Sequence, residues 1–330
     1  MTGIRILGTG SYAPPLTADN LAFTRFLDTS DEWIRTRTGI STRHISNGEP
    51  TWFMGLSAAR EALKAAEVAP TQVGLILDAT VTPDFVTPAT ACVIQRELGA
   101  VNAMAFDVNS ACTGFLCIFD MAVRYLATDP TLEYVLVIAN ENLTKITNYE
   151  DRASCILFGD GAAACVVTRD EAAAYASFFS ADGTGGEFLC ARSFPPANAF
   201  SDGSGAVPDG LPAQDHYLLQ DGRAVYRFAT AAMPYAVECA LQKAGMHLSD
   251  IDWLIPHQAN LRIIETAIKK LDFPMERVVV NLDRYGNTSS ASVPIALNEA
   301  IRDGRIQRGQ RICLVGFGAG LTMGAAVLQY

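Results

Sequence analysis

Charge and histidine are what this 330-residue chain has little of. Asp, Glu, Lys and Arg make up 18% of it, below the usual share, so much of the surface is buried or apolar. The four histidines, at 44, 216, 247 and 257, include no pair at metal-ligand spacing, which argues against a zinc site. The eight cysteines include no Cys-x-x-Cys pair, and buried free thiols of an intracellular protein are the expected reading. No apolar run approaches the roughly 20 residues of a membrane span. The opening residues, Met1-Thr-Gly-Ile-Arg-Ile-Leu-Gly8, enter a strand-like segment with no signal-peptide pattern, so a cytoplasmic location is expected. A formal charge of −10 lacks the basic footprint of a nucleic-acid binder. An anionic partner would have to meet a local basic patch on an acidic whole.

What the chain does have is 49% hydrophobic residues, enough for a large core in two fused halves. Helical and strand patterns alternate, as in an α/β protein. Residues 55–67 have helical spacing, Val73–Asp78 read as a buried strand, 89–98 as a helix, and Ala105–Val108 and Tyr134–Ala139 as further strands. The segment after Cys112 is apolar nearly all round and so belongs in the middle of the protein. The order then repeats. Residues 62–76 resemble 240–254 at an offset of 178, and Arg277–Asn281, Arg311–Val315 and 318–328 read as counterparts of the strands at 105–108, 134–139 and 159–167. Four matches in register point to a duplicated α/β unit with equivalent helices back to back between two sheets. Halves of 1–170 and 171–330 are expected. The Gly/Pro-rich excursion at about 182–223 is either a surface loop or a flap over a substrate entrance.

Cys112 has the setting of a nucleophile. It sits at the start of the buried helix, after Asn109 and Ser110, both good N-cap types. Free N–H groups and the helix dipole there favour a thiolate. His257 follows the strand Trp253–Pro256 and precedes the helix Leu261–Leu271, a strand exit where active groups collect in α/β proteins. Asn287 lies on a Gly-Asn turn before a helix at Ile295–Ile301, a setting that is ordinarily structural. The run Gly316-Phe-Gly-Ala-Gly320 offers backbone N–H groups at another strand exit.

The set resembles the β-ketoacyl-acyl-carrier-protein synthase III family. The resemblance runs through residues 28–45, Asp151-Arg152, Phe158–Gly161, Pro256-His-Gln-Ala-Asn-Leu-Arg262, Gly286-Asn-Thr-Ser-Ser-Ala-Ser-Val-Pro294 and the closing Gly316–Gly324, over nearly the whole chain. It implies the thiolase fold, a duplicated α-β-α-β-α arrangement, usually in a homodimer. It also implies that Cys112 becomes acylated from acyl-CoA, that His257 and Asn287 promote decarboxylation of malonyl-acyl-carrier protein, and that Cys112 and Ala319 N–H groups form the oxyanion hole. Thr29, Trp33, Arg37, Arg152, Gly222 and Asn260 match coenzyme A contacts. Arg227, Arg262, Lys269 and Lys270 match the docking face for the acidic carrier protein. No permanent cofactor or metal is implied, since acyl-CoA is a substrate. Alanine at 319 departs from a frequent glycine and Met323 from a frequent aromatic. Thr87 stands where acetyl-selective members carry phenylalanine in the neighbouring subunit's acyl pocket, so primers longer than acetyl are expected. A related condensing or acyl-transfer enzyme of secondary metabolism with a non-acetyl starter would share the triad. A papain-type hydrolase has the same Cys, His, Asn order but lacks its Cys-Gly-Ser-Cys-Trp context here. A non-catalytic coenzyme A or carrier-binding protein would need no intact triad.

Overall fold

The computed structural model describes residues 3–193, Phe200 and 217–330. Most of the Gly/Pro-rich excursion, including the run Phe200–Pro212 apart from Phe200 itself, and His216 lie outside the described residues, so the choice between surface loop and flap is not addressed by them.

Strands β1 (Gly3–Tyr12), β2 (Val73–Ala79), β3 (Met104–Val108), β4 (Tyr134–Glu141) and β5 (Gly161–Asp170) form one sheet in the order β1-β5-β4-β2-β3. β2 runs parallel to both β3 and β4, while β5 is antiparallel to β4 and β1. A second sheet contains β6 (Tyr175–Ala181), β7 (Trp253–Pro256), β8 (Arg311–Gly318) and β9 (Thr322–Gln329) in the order β6-β9-β8-β7. Matched strand for strand, the two sheets share one order, and the duplication read from the repeat is visible in the topology.

Helices α1 (Asp31–Thr38), α2 (Thr51–Ala66), α3 (Thr90–Leu98), α4 (Gly114–Thr128), α5 (Gly222–Ala244), α6 (Leu261–Leu271) and α7 (Ser292–Arg302) complete the frame. α2 and α3 cover the outer face of the first sheet, and α5, with α6 packed against it, that of the second. α4 and α7 lie between the sheets and touch both, which gives five layers. The period-2 alternation of the strands makes this possible. Leu75, Leu77, Val135 and Val137 face the central helices, whereas Ile76, Leu136 and Ile138 face α2. α4 is apolar on nearly every side because both of its faces are core: Phe115, Leu116, Ile118 and Phe119 are each at most 1% exposed.

One expected strand does not form. Val278 makes only an isolated bridge to Leu254, and 275–277 is a 3₁₀ turn. The Gln258 side chain supplies the missing ladder partners: Nε2 donates to Val279 O at 3.0 Å and Oε1 accepts from Asn281 N at 3.0 Å. Val279 N still donates to Leu254 O of β7 at 2.9 Å, so one strand bond and one side chain together satisfy this backbone.

Phe119→Ala should leave a void at the centre of both halves. It is expected to cost about 3–5 kcal/mol in chemical denaturation, and a loss under about 1 kcal/mol would show that α4 is not the shared core.

Candidate active site

The expected residues gather where β3, β7 and β8 end. Cys112 lies in a 3₁₀ turn, Ala111–Thr113, that leads into α4. Ala111 just before it has φ +45°. Neither Asn109 nor Ser110 caps the helix as expected. Ser110 Oγ instead meets Thr113 Oγ1 at 2.9 Å, and Asn109 Oδ1 only reaches Ala111 N at 3.4 Å. His257 is held by its backbone N–H on Val315 O (2.8 Å) and is 1% exposed. Asn287 bonds through its backbone to Leu157 O (2.8 Å) and accepts from Gly159 N (3.0 Å). This docking needs Gly286, whose φ is +66° and where a Cβ would lie 2.9 Å from Leu157 O. Cys112, His257, Asn287 and Ala319 all line one cavity of about 2050 Å³.

The fit around the sulfur is close. A Cβ at Gly318 would lie 2.8 Å from Cys112 N, so the end of β8 can pass Cys112 only as glycine. That approach carries Ala319 to the nucleophile. At Gly316 a Cβ would be 3.7 Å from both Cys112 O and His257 Cβ, which measures how nearly those two residues approach across the strand.

The hydrogen bonds orient the polar ends. Asn287 Oδ1 accepts from Ser289 N at 2.9 Å, which leaves Nδ2 as the donor toward the cavity. Ser292 Oγ sits 2.6 Å from His257 Nδ1 and also receives Gln258 N at 3.4 Å. A Ser292 hydroxyl that donates to Nδ1 puts the imidazole proton on Nε2, facing the donor role proposed below. Phe317 packs edge-on to the imidazole at 5.2 Å.

Charge states differ from the thiolate expected at a helix start. Burial, with a smaller contribution from the negative Glu141, pushes the Cys112 thiol up to about 12, against a lowering bond from Ser289. The resting residue is therefore a thiol. Burial alone lowers His257 to about 3, so its imidazole is neutral.

Other expected residues fall around the mouth. Trp33, Arg37, Gly222 and Asn260 line the same cavity; Thr29, Arg152 and Thr87 do not. Arg152 stacks 4.7 Å above the Trp33 ring and donates to Asp28 O at 2.8 Å. A purine between them needs a gap of roughly 7 Å, so the pair is closed and Arg152 must swing aside to admit one. The Thr29 hydroxyl is buried without a protein partner. Asn260 caps α6 through Arg262 N (2.9 Å) and donates to Arg37 O (3.1 Å), so it also builds the frame. Arg227, Arg262 and Lys269 are exposed, and Lys270 is tied to Thr230 O at 3.0 Å. Among the described residues no group of His, Cys, Asp and Glu could hold a metal ion. Ser289, Ser292, Phe317 and Glu141 were not singled out from sequence. The first three lie inside the motifs quoted above, but only the folded contacts reveal their parts.

Family models agree with this geometry. Residues 106–183 match the model for 3-oxoacyl-[acyl-carrier-protein] synthase III, and 241–330 match that for its C-terminal part. The chain is 46% identical to a β-ketoacyl-[acyl-carrier-protein] synthase III of Xanthomonas campestris, covering 99% of this chain and 98% of that one. It is 43% identical to the same-named protein of Clostridium perfringens over the full length of both. The chain belongs to the β-ketoacyl-acyl-carrier-protein synthase III family. Its fold is accordingly the thiolase fold. A crystal structure of the synthase III from Aquifex aeolicus superposes with a TM-score of 0.91 at 40% identity, covering 99% of this chain and all of that one. The protein is thus a condensing acyltransferase of fatty acid synthesis.

A synthase III whose histidine is already neutral should show no histidine limb. Because the His257 pKa is lowered, the working form persists as pH falls through 6.5 and is lost only near 3. Decarboxylation of malonyl thioester, followed by carbon dioxide release, should be flat between about pH 5 and 8. A fall centred near 6.5 would contradict the assignment.

Proposed function

We propose that this enzyme joins an acyl-CoA primer to malonyl-acyl-carrier protein by decarboxylative Claisen condensation through an acyl-Cys112 intermediate. The observation that carries this reading is a thiol, an imidazole N–H and an amide N–H on one cavity, with no charged side chain among the three. Cys112 sulfur attacks the thioester carbonyl and coenzyme A leaves. The tetrahedral oxyanion is received by the N–H groups of Cys112 and Ala319. Malonyl thioester then loses carbon dioxide, and His257 Nε2–H and Asn287 Nδ2 stabilise the enolate oxygen. Its carbon attacks the acyl-cysteine. Losing one such donor costs about 3–4 kcal/mol of barrier. An amide suits this position because a carboxylate would repel the enolate.

Coenzyme A is bound by Trp33 and Arg152 on its adenine, by Thr29 and Arg37 nearby, and by Gly222 and Asn260 along the pantetheine arm. The acidic carrier protein docks on Arg227, Arg262 and Lys269, with Lys270 contributing what its bond to Thr230 leaves free. Two copies pair through the free edge of β3, beside which Val101 and Met104 are 73% and 63% exposed; burying such an apolar edge in a homodimer removes both liabilities. Thr87, exposed and outside its own chain's cavity, then enters the partner's acyl pocket and leaves room for long primers. The halves divide at 170/171, in the turn between β5 and β6. The enzyme works in the cytoplasm, where its free thiols persist, needs no resident cofactor, and binds neither nucleic acid nor membrane.

Intact mass spectrometry after a panel of acyl-CoAs, then malonyl-carrier protein, tests the reading. The protein should gain one acyl group, lose it in Cys112→Ala, transfer it on condensation, and accept octanoyl- or lauroyl-CoA. No acyl adduct would overturn the mechanism. Strict acetyl preference would overturn only the role of Thr87.

A further inference from the structure

Two turns meet beside the sulfur, and each carries one of the N–H groups proposed to receive the oxyanion. The turn at Ser110–Thr113 carries Cys112 N. The hairpin between β8 and β9, in which Gly318 pairs with Thr322, carries Ala319 N. A chain of hydroxyls joins the two, and the condensation chemistry leaves it unused. Thr113, 0% exposed, has its Oγ1 3.0 Å from Thr322 Oγ1. Thr322 Oγ1 also donates to Ala319 O at 3.1 Å. On the other side Thr113 Oγ1 donates to Ser110 O at 2.7 Å and meets Ser110 Oγ at 2.9 Å. The Cys117 thiol, one helical turn on, donates to Ser110 Oγ at 3.4 Å.

Each hydroxyl has one proton, and this orders the chain. The Thr113 proton goes to Ser110 O, its shortest contact. Thr113 Oγ1 then accepts from Ser110 on one side and from Thr322 on the other, which fills both of its lone pairs. The Thr322 proton is shared between Thr113 Oγ1 and Ala319 O. Thr322 is therefore the hydroxyl that touches both turns. The backbone around it is tight. Gly320 has φ +143°, and a Cβ there would lie 2.7 Å from Thr322 Cγ2.

We propose that the Thr113–Thr322 hydrogen bond is a clip that sets the spacing of Cys112 N and Ala319 N, so that Thr113 and Thr322 are positioning residues for the oxyanion hole. This rests on the acyl-cysteine reading. Two forces are needed to fix such a spacing. The close passage at Gly318, where a Cβ would meet Cys112 N at 2.8 Å, is repulsive and sets only how near the turns can come. The hydroxyl bond is attractive and buried on the Thr113 side, and it sets how far they can part. Convergence matters most when charge has formed on the oxygen, because two donors aimed at one point stabilise the oxyanion more than the thioester carbonyl. The clip should thus be felt in the two steps that form a tetrahedral centre on the acyl carbon, acylation and condensation. Malonyl decarboxylation forms its enolate against His257 and Asn287 and should be spared.

Thr322→Val and Thr113→Val test this, since valine keeps the shape of threonine and removes its hydroxyl. Acylation and condensation should slow roughly ten- to a hundredfold in kcat, with KM for acyl-CoA and the rate of malonyl decarboxylation within a few fold of native. Thr322→Ser, which keeps the hydroxyl, should recover most of the rate. The double variant should be about as slow as either single one, because both remove the same bond. Thr322→Val carries the test should Thr113→Val fail to fold. The clip is also read with no substrate present, by hydrogen–deuterium exchange of peptides covering 110–114 and 318–322, which should quicken in Thr322→Val and return in Thr322→Ser. An acyl adduct on the native enzyme tests the acyl-cysteine reading by itself, so the two failures are told apart. Native acylation and condensation in Thr322→Val, or unchanged exchange, would overturn the clip. So would a rise in KM alone, the mark of a lost substrate contact, or an equal loss of decarboxylation, the mark of a general loss of structure.

Discussion

Burial between two sheets governs the chemistry of this site, because it decides which groups carry charge. Cys112 and His257 sit at the ends of strands from different sheets, His257 buried and Cys112 half-buried on the cavity wall. Each pays for its charged form in lost solvation, so the thiol keeps its proton and the imidazole stays neutral. For the condensation proposed above, an uncharged imidazole and amide place no negative charge of their own against a developing enolate.

Duplication supplies the frame on which that asymmetry is built. Ala111 and Ser289 lie 178 residues apart, the offset of the repeat, and both have positive φ. The residues after them, Cys112 and Ser290, stand at matching turns before the paired central helices α4 and α7. One half presents its residue, Cys112, to the cavity. The other turns its residue to Glu141 and holds the wall in place. The close passage of β8 at Gly318 then locks the two halves together at the sulfur, so site geometry and core packing are one constraint.

Much of this was legible in the chain because apolar periodicity is set by burial, and burial here is extreme. The helix at Leu261–Leu271 and the strand at Trp253–Pro256 have the bounds their patterns suggest. The strand expected at 277–281 is reduced to one bridge beside Leu254, with the Gln258 side chain taking the next backbone bonds, and no pattern of hydrophobicity encodes that. For Cys112 a local helix start is visible in sequence, whereas the burial that pushes its thiol up is not. Ser110 reads as a cap but is drawn to Thr113. Ser292 is an ordinary polar residue until folding brings it against His257.

The most direct test of this account is a titration of the Cys112 thiol itself. Thiolate ultraviolet absorbance, taken as the difference between the native protein and Cys112→Ser, would follow its ionisation in the absence of any substrate. The account predicts almost no Cys112 thiolate at neutral pH, with ionisation emerging only well into the alkaline range. A full thiolate signal already present at pH 7 would contradict it.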